Sequence, residues 1–133
     1  MHTQRGPWAV ELIATDRILP NEQHDEARLF EVLESIERAG RWTSPIALER
    51  TSLAVMDGHH RLAAAKRLSL PLVPCVLLDY GQVGVQTRRP EFYVDAAQIV
   101  ARSLARMLYP PKTTRHIFPR PLPLCSIELA VLA

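Results

Sequence analysis

Apolar residues recur at two different spacings along this chain, and the alternation between them predicts a small mixed α+β domain. Residues 8–13 form a mostly apolar run that reads as a short strand, followed by a polar turn over residues 19–26. From Glu26 to Ala39, Leu29, Val32, Leu33 and Ile36 fall on one helical face, with Glu31, Glu34, Glu37 and Arg38 on the other. Gly40 stands where such a helix needs a left-handed cap. Residues 45–49 and 52–56 read as strands on either side of a turn at Arg50-Thr51. A helix over residues 61–69 and a buried, β-branched strand over residues 72–78 come next. Residues 94–108 form a second amphipathic candidate, with Ala97, Val100, Ala101 and Leu104 as its apolar face. Prolines then exclude a helix over residues 109–116, which must be extended or looped. The tail, residues 119–133, is proline-rich and then apolar, which suits an edge strand of the same domain or a dimer contact.

Composition narrows the class. A chain of 133 residues has room for one domain, with its core over about residues 8–118 and the tail beyond. Hydrophobic content of 47% and charged content of 23% are ordinary for a soluble globular protein. A formal charge of +2 gives little electrostatic drive toward nucleic acid. Cys75 and Cys125 have no metal-ligand or redox spacing, which suits a cytoplasmic thiol protein. Residues 1–17 lack the apolar stretch of a secretory signal, and no run is long enough to span a membrane.

Three segments concentrate chemistry. Asp57-Gly58-His59-His60-Arg61 places a carboxylate, two imidazoles and a guanidinium where a helix begins. A helix start offers unpaired N–H groups and the positive end of the dipole, so it suits a phosphate. Lys112-Thr113-Thr114-Arg115-His116 combines cations, hydroxyls and an imidazole after two prolines, a set suited to phosphate or carboxylate. Glu22, Asp25 and Glu26 precede the first helix, where acidic residues commonly complement the dipole. His2 and His24 read as surface histidines, Trp8 and Trp42 as packing residues, Tyr80 as a core or rim residue, and Cys75 as an inert buried thiol. The chain has neither a Walker A loop nor a GxGxxG run, so any nucleotide is held by other means.

The strand–DGHHR–helix unit resembles the ParB/sulfiredoxin-like fold. Within it, the chain is similar to the free L-serine kinases, which form O-phosphoserine. The resemblance rests on Leu19-Pro20-x-Glu22, Asp57 to Arg61, Val73-Pro74 leading to Leu78-Asp79-Tyr80, and Pro110-Pro111-Lys112-Thr113-Thr114-Arg115-His116. It implies ATP or ADP as donor, with Mg²⁺. It further implies Glu22 as the base toward the serine hydroxyl, and Asp57 as a second essential carboxylate that orients the phosphates or Mg²⁺. Gly58, His59, His60 and Arg61 would cradle the nucleotide phosphates. Lys112, Thr113, Thr114, Arg115 and His116 would hold the serine carboxylate and the new phosphate. In the usual family pattern a histidine precedes the base, where this chain has Asn21. A tryptophan common in the family is also missing from Thr87-Arg88-Arg89-Pro90.

Two other readings use the same fold. A ParB-type nucleotide-binding module typically carries Gly-Glu-Arg-Arg, where this chain has Gly58-His59-His60-Arg61. A sulfiredoxin-like reductase needs a cysteine at the third motif position, which is His59 here. The resemblance therefore implies a cytoplasmic kinase of free L-serine or a serine-like small molecule, with a ParB-like nucleotide-binding module as the alternative and no nucleic acid or membrane among its partners.

Overall fold

The computed structural model describes residues 8–133, so the reading of His2, like the rest of residues 1–7, lies outside the described residues. Strand β1 spans Val10–Ala14, slightly later than the apolar run suggests, and leads through a short 3-10 turn at Thr15–Arg17. Helix α1 is Glu26–Ala39. Asp25 caps it by accepting from the Ala27 N–H, and Gly40 ends it at φ +68°. Of its predicted apolar face, Leu29 is fully buried, while Val32, Leu33 and Ile36 are half-buried beside open grooves.

Strands β2 (Arg41–Trp42), β3 (Ile46–Glu49) and β4 (Val55–Asp57) follow, then helix α2 (His59–Arg67) and strand β5 (Leu72–Leu78). The main sheet has the order β1-β5-β3-β4. Its pairs are antiparallel except β3 with β5, whose parallel register is made possible by the return through β4 and α2. Both sheet faces are covered. On one, Trp42, Ile46, Leu48, Val55, Leu62 and Val73 pack together; on the other, Ala47, Met56, Val76, Leu78 and Val83 do.

Helix α2 starts two residues before the predicted start at Arg61, so both imidazoles lie in its first turn. The cause is Gly58, which at φ +118° turns the end of β4 directly into the helix. A Cβ there would lie 3.2 Å from two side-chain carbons of Ile46 and 3.3 Å from Arg61 Cζ. Ser69, at φ +55°, lies just past the end of the helix.

Beyond β5, strands β6 (Gly84–Thr87) and β7 (Thr114–Ile117) form an antiparallel ribbon, and helix α3 (Ala96–Ala105) lies between them in sequence. The helix is shorter than predicted and turned the other way. Ile99 and Ser103 are buried, whereas Ala97, Ala101 and Leu104 face outward. The polar Ser103 takes the inner position because its hydroxyl lies 3.2 Å from Asn21 Nδ2, in a buried contact. The tail adds strand β8 (Ile127–Glu128), paired with β2, and a single helical turn, α4 (Leu129–Leu132), whose Leu132 enters the core. The apolar run there serves its own domain as an edge strand, so no dimer contact is needed to account for it.

Candidate active site

The end of β4 and the start of α2 set the first half of the site. Asp57 is the last residue of β4, Gly58 makes the turn, and the first N–H groups of α2 have no intrahelical partners. This corner opens into a cleft of about 600 Å³, within the size range of small-molecule pockets. Glu22, Asp57, Arg28, Arg88 and Lys112 all line the cleft. It adjoins a second chamber of about 470 Å³, which shares Asp57 and Arg61 and is walled by Val32, Ile36 and Leu122.

Glu22 is the most tightly held carboxylate near the cleft. Its Oε1 accepts from the N–H groups of Thr113 at 3.1 Å and Thr114 at 2.9 Å, and from the Thr114 hydroxyl at 3.0 Å. Its Oε2 accepts only the Lys112 N–H, at 3.0 Å, and keeps a free lone pair. The loop that makes these bonds is braced in turn. Arg89 donates twice to the Pro111 carbonyl, and the Thr113 hydroxyl donates to the Pro110 carbonyl. Lys112 sits at φ +60°, which helps aim successive N–H groups inward.

The two imidazoles have partners that the sequence does not suggest. His59 Nε2 accepts the Asn21 N–H at 3.2 Å, and His60 Nε2 accepts the Asp25 N–H at 2.9 Å. An accepting ring nitrogen is unprotonated, so both rings are neutral, with the proton on Nδ1. Burial pushes His59 down to about 3, with His116 and His60 adding to the effect. Burial and the nearby His24 and Arg28 also lower His60. Both residues also line the cleft, beside the backbone N–H groups of the first turn.

Other expected residues divide. Arg61 donates to the carbonyls of Ser44 and Pro45, and lies 3.2 Å from Asp57 Oδ2, so its guanidinium fixes the β2–β3 loop and orients Asp57. Thr113 is fully buried and positions Glu22 through its backbone, while its hydroxyl is taken up by the Pro110 carbonyl. Lys112 and Thr114 line the cleft. Arg115 is exposed and, by strand alternation, points to the face of the ribbon opposite Thr114 and His116. His116 pairs with the Tyr80 hydroxyl at 2.7 Å, and burial pushes it down to about 4. Its Nδ1 is buried without a hydrogen-bond partner among the described residues, and Asp57 and Glu22 lie close enough to act on the ring.

Arg28 and Arg88 join the cleft without having been singled out from the sequence. Arg28 lies three positions after the Asp25 cap, and Arg88 ends the β6 turn; only tertiary placement distinguishes them from surface cations. Asn21 is fully buried and donates to the Val55 carbonyl at 2.8 Å. Cys75 is buried and its thiol is pushed up to about 12, as befits an inert core residue. No group of three or more His, Cys, Asp or Glu side chains suited to a metal occurs among the described residues. Mg²⁺ needs no such cage, since it binds through one or two carboxylates together with substrate phosphates. Asp57, half-exposed and with an oxygen not taken by Arg61, fits that requirement.

Similarity to known proteins bears on the same region. No family model matches the chain. It is 31% identical over 83 residues to a ParB-like protein of Sulfolobus acidocaldarius, covering 61% of this chain and 40% of that protein. It is 35% identical over 81 residues to an ATP-dependent L-serine kinase of Staphylothermus marinus, covering 58% of this chain and 32% of the relative. An ADP-dependent L-serine kinase of Thermococcus kodakarensis is 32% identical over 96 residues, covering 68% of this chain and 40% of the relative. The matches therefore span well under half the length of these curated relatives. A solved free serine kinase variant in complex with ADP superimposes with a TM-score of 0.85 at 16% identity, covering 98% of this chain and 96% of that one. No helix among the described residues is long and apolar enough to cross a membrane. The chain is thus related in sequence to proteins named L-serine kinase and ParB-like, and it has the mixed α/β fold of the free serine kinases.

Proposed function

We propose that this chain phosphorylates the hydroxyl of free L-serine, giving O-phospho-L-serine, with ATP or ADP as donor. The observation that carries the reading is the pinned Glu22 carboxylate in a cleft that also contains Asp57 and the start of α2. Relatives named for each donor support both nucleotides as candidates. Free thiols at Cys75 and Cys125 suit a cytoplasmic site of action.

In this mechanism the backbone N–H groups opening α2 receive the transferred phosphate's oxygens, with the helix dipole behind them. Asp57 would hold Mg²⁺, which supplies charge neutralisation on the phosphates when bound. Glu22 Oε2 accepts the serine hydroxyl proton as the new O–P bond forms and the bond to the leaving nucleotide breaks. Arg28, Arg88 and Lys112 neutralise the substrate carboxylate and the migrating phosphoryl group. Such transfer depends chiefly on positioning and electrostatics, and the firm anchoring of Glu22 serves the first.

Phosphorus NMR of the full chain with Mg²⁺, L-serine and either ATP or ADP tests this directly. A phosphomonoester signal that requires serine is the expected result, and the donor that produces it is thereby named. Nucleotide binding without transfer to serine would remove the serine kinase assignment. Transfer restored by another hydroxy amino acid would instead reassign the acceptor; failure with every acceptor would leave a ParB-type binding module.

A further inference from the structure

We propose that His59 and His60 are positioning residues for Glu22, acting as acceptors for backbone N–H groups and not as ligands for phosphate; this rests on the kinase reading above. Residues 21–25 carry Glu22 but belong to no regular helix or sheet ladder. Their N–H groups need partners, and three of them are met at alternate positions. Asn21 donates to His59 Nε2, Gln23 to the Tyr109 carbonyl, and Asp25 to His60 Nε2. Two of the three anchors are thus adjacent side chains on the first turn of α2. On a helix, neighbouring residues diverge by about 100°, so His59 and His60 reach different points of the loop and fix its direction as well as its distance.

The same helical turn would meet the nucleotide with its backbone and the Glu22 loop with its side chains. Two hydrogen bonds of 3.2 and 2.9 Å then hold the backbone on either side of Glu22 to that turn, while Lys112, Thr113 and Thr114 fix the carboxylate itself. Imidazole suits this task because its far nitrogen accepts a bond while the ring remains uncharged. A lysine or arginine at either position would present only donors toward an N–H.

Substitution at His60 separates the roles, because a side chain that cradles phosphate must donate or carry positive charge, whereas a loop anchor must accept. For His60→Ala we expect kcat to fall about 10–100-fold, as for a catalytic group displaced by about an ångström, with nucleotide Kd changed less than about threefold. His60→Gln restores much of kcat, and His60→Arg does not. Amide exchange at Asp25 accelerates in the Ala and Arg variants and less in Gln. A nucleotide Kd raised more than about tenfold in His60→Ala and recovered by His60→Arg would overturn the proposal. Unchanged kcat and unchanged exchange in His60→Ala would overturn it too. Should the variants fail to fold, scalar coupling across the hydrogen bond from the Asp25 nitrogen to His60 Nε2 in the wild-type chain decides the point; its absence refutes the anchor. If the wild-type protein lacks serine kinase activity, the kinase reading fails by itself. Exchange, coupling and nucleotide affinity still report whether the imidazoles hold the loop.

Discussion

Glu22 combines two roles that pull in different directions: it ties a loop together and it keeps one oxygen available for a proton. Its Oε1 is saturated by Thr113 and Thr114, whereas Oε2 meets only Lys112. Glu22→Gln removes the proton acceptor and turns an amide N–H₂ toward a backbone donor. Turnover should fall at least about 100-fold, the lower end of what a general base contributes, while nucleotide affinity stays within about threefold. Steady-state kinetics beside calorimetric titration checks this; turnover within about tenfold of wild type would remove Glu22 as base. At this scale the sequence locates Glu22, Asp57 and Gly58 at one cleft. It does not reveal the hydrogen-bond partners of the imidazoles, of Arg61 or of Thr113. Residue type alone cannot show that His60 faces the Asp25 N–H 35 positions away, or that Thr113 is buried.

Among the elements, local signals succeed where they are covalent or conformational, and fail where a distant group decides. The predicted span of α1 and its left-handed Gly40 cap are as the sequence has them, and Asp25 supplies the N-cap. The position of Gly58 between β4 and α2 sets the helix start, which the motif underestimates by two residues. For α3 the predicted face is the wrong one, because Ser103 gains buried polar partners that hydrophobicity cannot reveal. The tail gives an element-scale prediction. Leu132 is completely buried in the main core although α4 is a single turn. Truncation to alanine should destabilise the protein by about 2–3 kcal/mol, the lower part of the range for buried leucine, as read from urea unfolding. A loss below about 0.5 kcal/mol would mean that the tail does not pack as described.

For the molecule as a whole, buried neutral histidines predict how stability responds to acid. His116 and His59 are held at about 4 and about 3 in the folded protein, against 6.5 as the ordinary value. Between these limits the unfolded chain binds the protons and the folded chain does not, so stability falls as pH drops below about 6.5. His116 alone accounts for at most about 3 kcal/mol of this, and its share is complete by about pH 4; His59 continues the same trend lower. Urea midpoints at about pH 7, 5.5 and 4.5 should decline in that order, and a flat series would show that these rings are freely protonated. The long-range anchoring of Glu22 has a kinetic meaning as well. Its bond to Thr114 closes a loop of 92 positions, while the hairpin of β3 and β4 closes within a dozen. Chain-closure entropy favours the short contacts first, so the β3–β4 hairpin and the helices can form while the carboxylate is still unattached. During refolding, such a chain would already carry helix and hairpin signals, yet be unable to turn over. Recovery of activity would then lag behind recovery of secondary structure.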